Sequence, residues 1–337
     1  MATIGNLKTL LDWSKEVDPD GSTAAVAELL SQQNGMVSTI LWKEGNLPTG
    51  HRITQRTGLP TSYWRLLNKG TPSSKATTAQ VDEACGMLEG RSEIDEKLAA
   101  LNGNTGSFRV NQAAAHIESM NQEFASTAVY GTASNPEEFI GFAARYNDLS
   151  ADNGDNILSA GGSSSDNTSV YLIGWGERSI YGIYPKGSMA GLSHEDLGVI
   201  DAFDADNNRF RAYGDLFQWD GGIAVEDWRY GVRIPNIDVS DLQGQTGTQA
   251  ASEATALIKL MTRAVDRLQS RVGVDARFYC NRTVASHLRL AALDKSQSVV
   301  TVEPATNQFG QTIFELHFQG IPVEIEDQIT NSESAVS

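Results

Sequence analysis

Gly45-Asn46-Leu47-Pro48-Thr49-Gly50-His51-Arg52-Ile53-Thr54-Gln55-Arg56-Thr57-Gly58-Leu59-Pro60 opens a segment, Gly45 to Val81, that contains no Asp or Glu. The same segment carries Arg52, Arg56, Arg65, Lys69 and Lys75. Gly58-Leu59-Pro60 and Gly70-Thr71-Pro72 punctuate it, which forbids a long helix and predicts a long two-stranded loop. Leu59, Tyr63, Trp64, Leu66 and Leu67 are too few to form a core of their own. An isolated hairpin is marginal in water, so this arm must lie on another surface to be ordered.

The rest of the chain is acidic. With a net charge of −16 over 337 residues, a +5 arm is joined to a −21 body. That balance argues against a protein that coats nucleic acid. Tyr63 and Trp64 do interleave with Arg56 and Arg65 as stacking platforms would, and a solvated loop is the plainest alternative. Docking onto an acidic patch of an identical neighbour fits best, making Arg52, Arg56, Tyr63, Trp64, Arg65 and Lys69 the expected inter-subunit contacts. Asp82, Glu83, Glu89, Glu93, Asp95 and Glu96 form one candidate receiving surface. Glu195, Asp196, Asp201, Asp204 and Asp206 form another. Folding back onto the first cluster within one chain stays open.

A chain this long fills one large domain or two to three subdomains. No run approaches the roughly 20 apolar residues of a membrane helix, and Met1 to Leu11 lacks a basic-then-apolar leader, so folding in a cytoplasm is expected. Cys85 and Cys280 make no disulfide framework and read as buried small hydrophobes. The sequons at Asn167 and Asn281 have no secretion signal to give them meaning.

Residues 1–44 read as helix in two pieces, with a turn at Asp18-Pro19-Asp20-Gly21 and Ser22 or Thr23 as a cap. Asp82 to Leu101 is helix-compatible, with Ile94 and Leu98 four apart, and Asn102-Gly103-Asn104 breaks it. Ile117, Met120, Phe124 and Ala128 predict a strong helix from Ser107 to Tyr130, stopped by Gly131. Hairpins are expected at Gly176-Glu177-Arg178 and Asp220-Gly221, and a turn at Asp204 to Asn208. A second strong helix is expected over Gln249 to Val272, a strand at Phe278 to Cys280 and a helix over Arg282 to Leu293. Phe314, Leu316 and Phe318, then Ile321, Val323 and Ile325, alternate on either side of Gln319-Gly320.

Chemistry-bearing motifs are sparse. The histidines at 51, 116, 194, 287 and 317 make no HxxxH or HExxH. His194-Glu195-Asp196 reads as a solvated acidic loop. Asp204, Asp206 and Asn208 mimic the start of a calcium loop, but Arg209 stands where that loop needs Gly. Gly187-Ser188-Met189-Ala190-Gly191 places serine one position early for a nucleophile elbow. Gly174-Trp175-Gly176 lacks the third glycine of a dinucleotide loop. No enzyme, cofactor or metal is expected.

Three stretches carry a resemblance. Phe278-Tyr279-Cys280-Asn281-Arg282-Thr283, leading into Val284 to Leu288, resembles the strand, Asn-Arg and helix of the A-domain in tailed-phage capsids. Phe318-Gln319-Gly320-Ile321-Pro322-Val323, closing with Asp327, resembles the Gly-x-Pro-Val strand that follows it there. Asp18 to Gly21, Glu44 to Arg52, Arg56 to Thr61 and Trp64-Arg65 resemble the front half of capsid proteins in the Bordetella and epsilon15-like podovirus group. So do Leu101 to Asn104, Met120 to Glu123, Gly187 to Leu192 and His194 to Gly198.

The resemblance implies an α+β, Hong Kong 97-type capsid fold and a major capsid protein that self-assembles into an icosahedral shell around phage dsDNA. It divides the chain into an N-terminal arm and helices (1–44), an E-loop (45–92), a P-domain spine-helix region (93–134), a β-rich segment shared by P- and A-domains (135–245) and a mainly A-domain region (246–337). Strands such as Tyr171 to Tyr184 precede the Gly-x-Pro-Val strand, which suggests a permuted order. Hexamers and pentamers, a separate scaffolding protein, a portal and a decoration protein are the implied partners. The virion is the implied location, after assembly in the host cytoplasm. An encapsulin-like nanocompartment shell is the alternative of the same fold.

Overall fold

The computed structural model describes residues 31–101, 105–163, 165–204, 206–243, 248–293, 300–306 and 312–336. The turn at 18–21, the cap at 22 or 23 and the break at 102–104 lie outside them. A short helix α1 (Gly35–Thr39) leads into strand β1 (Trp42–Glu44), so the helical reading of 1–44 does not hold at its end, and its expected helix after Ser22 or Thr23 lies outside the described residues. The arm is the two-stranded ribbon β2 (Gly50–Gly58) and β3 (Thr77–Ala84), as the glycine and proline spacing predicts.

Asp82 to Leu101 is mostly strand, contrary to the helical reading. β4 (Gly86–Asp95) is followed by only one helical turn, α2 (Glu96–Ala99). Tertiary pairing overrides propensity here, because β4 lies antiparallel to β8 (Arg209–Val225) over ten positions, Gly86↔Gly221 to Asp95↔Ala212. Ile94 is buried through the two-residue period of a strand, and its four-residue spacing to Leu98 misleads.

The spine helix α3 (Thr105–Tyr130) matches its apolar spacing, with Met120, Phe124 and Ala128 buried. Ile117 does not follow them and is exposed. Gly131 follows the last helical residue, and only glycine fits there because a Cβ would lie 2.2 Å from the Phe139 carbonyl oxygen. A single turn, α4 (Phe142–Arg145), comes next.

β5 (Asn167–Trp175) is buried along its whole length because both faces of the sheet are covered. Val170 and Leu172 pack with residues of α6 (Thr248–Arg267) and α7 (Arg282–Leu293), whereas Tyr171, Ile173 and Trp175 pack with the spine helix and α4. β6 (Ile180–Tyr184) meets β5 only at Trp175↔Ile180, in parallel, so 176–178 is a corner and not the expected hairpin. The Ser179 hydroxyl holds that corner by donating to the Gly174 carbonyl at 2.8 Å.

The expected hairpin at Asp220-Gly221 is also overturned, since β8 runs straight through it for 17 residues. Both glycines serve close approach. A Cβ at Gly222 would sit 2.6 Å from the Ala84 oxygen, and one at Gly221 would press on the rings of Phe124 and Trp42. β7 (Ser193–Phe203) pairs with β8 through the turn expected at Asp204 to Asn208, with Asn207 at φ 63°.

β9 (Gly231–Asp238) and β10 (Asp275–Cys280) flank β5, with α5 (Val239–Gln243) and α6 between them in sequence. β11 (Val300–Thr306), β12 (Thr312–Phe318) and β13 (Ile321–Ile325) complete an 11-stranded sheet. Gln319 and Gly320, both at positive φ, make the two-residue turn between β12 and β13. Cys280 is buried and Cys85 half-buried, and both are free.

The C-terminal tail crosses the back of the sheet. Arg233 and Glu333, nearly solvent-free, bond at 2.8 Å. Glu326 is fully buried and accepts from the Met36 amide at 3.0 Å. Burial pushes its carboxyl up from 4.5 to about 7, outweighing backbone hydrogen bonds from Met36 and Gln328. The folded state therefore holds this proton more tightly than the unfolded chain. The group costs nothing below pH 4.5, and its penalty grows between pH 4.5 and 7 to a limit of about 3 kcal/mol. Glu326→Gln should remove that penalty. Urea unfolding of the unassembled subunit is expected to show a gain over the parent that widens from pH 5 to pH 8.

Candidate assembly interface

The ribbon is rooted by a small number of buried contacts. Ile53, the inward residue of β2, packs with Tyr181, Ile183 and Ala224. Gln55 Nε2 donates to the Glu226 carbonyl at 2.9 Å. Along β3 the sole buried residue is Glu83. Arg145 grips it with two bonds of 2.7 Å, and donates further to the Ile140 and Ile223 carbonyls at 3.1 Å each. Asn46 braces the entry to β2, its amide bonding both the N–H and the carbonyl of Arg52. Lys43 lies over the Tyr181 ring, and burial, helped by the Lys43 charge, lowers the pKa of the neighbouring His51.

Residues 54–59 line a cavity with Arg178 and 226–229 of the body, and the side chains of the ribbon beyond are open to solvent. Arg52 pairs with Asp82 across the two strands at 2.6 Å, so one arm cation is satisfied within its own chain. Both partners are exposed, and such a pair sets register more than stability. Arg56, Arg65, Lys69 and Lys75 have no ion-pair partner among the described residues. Trp64 is fully exposed, Leu67 is 90% exposed, and Leu59, Tyr63 and Leu66 are also open. Of the six expected contact residues, five are therefore free for a partner and Arg52 is engaged.

Both acidic surfaces are partly engaged within the chain. The cluster after the arm is largely spoken for, since Asp82 and Glu83 pair with Arg52 and Arg145, Glu93 with Arg91, and Glu96 with Arg211. On the β7–β8 hairpin, Arg109 of the spine helix clamps Asp196 and the buried Asp215, each at 2.7 Å. Asp201 faces Arg209 at 3.8 Å.

The enzyme-like motifs resolve into structural ones. Asp204 accepts from the Asp206 and Asn208 amides as a turn-forming carboxylate, which holds its pKa below the usual range. His194 bonds Asp215 and stacks on Phe217. Ser188 donates to the Pro185 carbonyl. Among the described residues no group of three or more His, Cys, Asp or Glu side chains could hold a metal, and no helix is long and apolar enough to cross a membrane.

A long spine helix, a helix-covered sheet and a ribbon projecting from it define the class: a shell-building subunit of the Hong Kong 97-type capsid fold. A chain of the near-atomic cryo-EM structure of bacteriophage Epsilon15 superposes with a TM-score of 0.76 at 29% identity, covering 100% of this chain and 99% of that one. The bacteriophage JBD30 capsid aligns at 0.49 and 7% identity over 89% and 92% of the two chains. The holo-encapsulin complex of Synechococcus elongatus aligns at 0.46 and 10% over 64% and 91%. No curated protein sequence matches the chain. The sequence profile of the family described as Major capsid protein GP7 matches residues 18–337, and the chain belongs to that family of phage shell proteins.

Sequence reasoning finds the arm but misses its anchor, because Arg145 lies 62 residues from Glu83 and no motif joins them. Removing one partner of a buried pair typically costs about 3–5 kcal/mol. Glu83→Ala should lower subunit stability by that order and free the ribbon. Limited proteolysis is expected to cut the 59–76 region several-fold faster than in the parent.

Proposed function

We propose that the arm is the E-loop through which each copy engages its neighbour, and that hexamers and pentamers so formed close the shell around phage dsDNA. The observation that carries this is the fully exposed Trp64 on a ribbon tip whose cations lack partners. Burying the tip's apolar side chains at about 25 cal/mol per Å² supplies attraction, while Arg56, Arg65 and Lys69 supply register against an acidic body. Each contact need only be modest, because a closed shell multiplies it and a subunit must break several to leave.

The proposed division keeps 45–92 as E-loop, 93–134 as spine region, 135–245 as shared β-rich segment and 246–337 as mainly A-domain. A separate scaffolding protein, a portal and a decoration protein complete the expected partners, with assembly in the host cytoplasm. The role assigned to the subunit is structural, with no catalytic centre.

Arg52 is left out of the test because reversing it would set two carboxylates against each other in the ribbon. Arg56→Glu, Arg65→Glu and Lys69→Glu together should give a soluble subunit with unchanged circular dichroism and no shells by negative-stain microscopy. Shells of normal yield from that variant would sink the proposal.

A further inference from the structure

A cavity of about 160 Å³ opens at the root of the ribbon, lined by Gly86, Met87, Leu88, Phe124, Phe139 and Trp219 and edged by Glu123, Glu137 and Glu138. Its wall is aromatic. Phe124 stacks on Trp219 at 4.6 Å and tilts against Phe139 at 5.1 Å. The volume is well below the ~300 Å³ at which small-molecule sites begin, and suits a side chain better than a cofactor.

The rim of this place is open in the single chain. Met87, at the edge, is 77% exposed. Glu123 and Glu137 are exposed too, with no ion-pair partner among the described residues.

The arm's tip is the complement of this site. It offers Trp64, Leu66 and Leu67 as open apolar groups, flanked by Arg65 and Lys69. It cannot serve its own chain. β3 is eight residues long and spans roughly 25 Å, so cavity and tip stand at opposite ends of one ribbon.

Resting on the reading that the arm engages a neighbour, we infer that this cavity receives an apolar side chain from the ribbon tip of a second copy. Glu123, Glu137 and Glu138 meet that copy's Arg65 and Lys69. Tip and cavity are different surfaces, so the contact is head-to-tail, and its repetition closes copies into a ring.

Disulfide trapping tests the assignment. Leu67→Cys combined with Met87→Cys should give, after oxidation of assembled particles, a ladder of linked subunits on a non-reducing gel that neither single variant gives. The competing pair is Leu67→Cys with Asp206→Cys, at the acidic hairpin turn. A ladder from that pair alone overturns the cavity assignment while leaving neighbour docking intact; shells showing no ladder from either pair also overturn it. Normal shells from the arm charge-reversal variant would remove both readings together. If the cysteine variants fail to assemble, the native shell decides. Amides at 86–89 and 137–139 should exchange hydrogen at least tenfold more slowly in shells than in free subunits, and equal rates would overturn the assignment.

Discussion

Glu83 is 6% exposed and held on both oxygens by Arg145, and the behaviour of the whole arm depends on that pair. A carboxylate taken out of water must be matched by a cation with fixed geometry, and the guanidinium fork provides it. Because Arg145 also reaches two backbone carbonyls of the body, the pair fixes the place and angle at which the ribbon leaves. Outward of it, β3 has no buried residue, and the body holds the ribbon there only through Ile53 and Gln55 of β2. The chain thus separates a rigid root from a distal part that the body does not cover.

The long strand β8 links this root to the rest. Its outer half is paired on both sides by β7 and β4, and its last residues by β6. Gly221 and Gly222 stand at the change-over, where the backbone of Ala84 and the ring of Trp42 come too close for any side chain. The spine helix lies across β4 and β8 through Met120 and Phe124. Ribbon, spine and sheet therefore converge on one spot, which is why a cavity with walls from several elements forms there.

What could be read in the sequence was what local physics decides. The spine helix, the Arg282–Leu293 helix and the Gln319-Gly320 turn each satisfy spacing rules within a few residues, and each is found where expected. The arm's glycines, prolines and one-signed charge were legible for the same reason. Asp220-Gly221 failed because the dipeptide has two uses, a tight turn or a close backbone approach, and only the distant Trp42 and Ala84 tell them apart. Gly86 to Asp95 failed because its strand character depends on a partner more than a hundred residues later. In the site, Arg52's tie to Asp82 was foreseen as one alternative. Phe124, Glu137 and Trp219 gave no sign of sharing a cavity, since the fold alone brings them together.

The two sulfurs have a chemical consequence of their own. Burial pushes the thiols of Cys85 and Cys280 up to about 12. On the order of one in 10⁵ is then ionised at neutral pH, and only the ionised form attacks a disulfide or an oxidant. Neither native thiol is therefore primed for exchange with a disulfide at neutral pH.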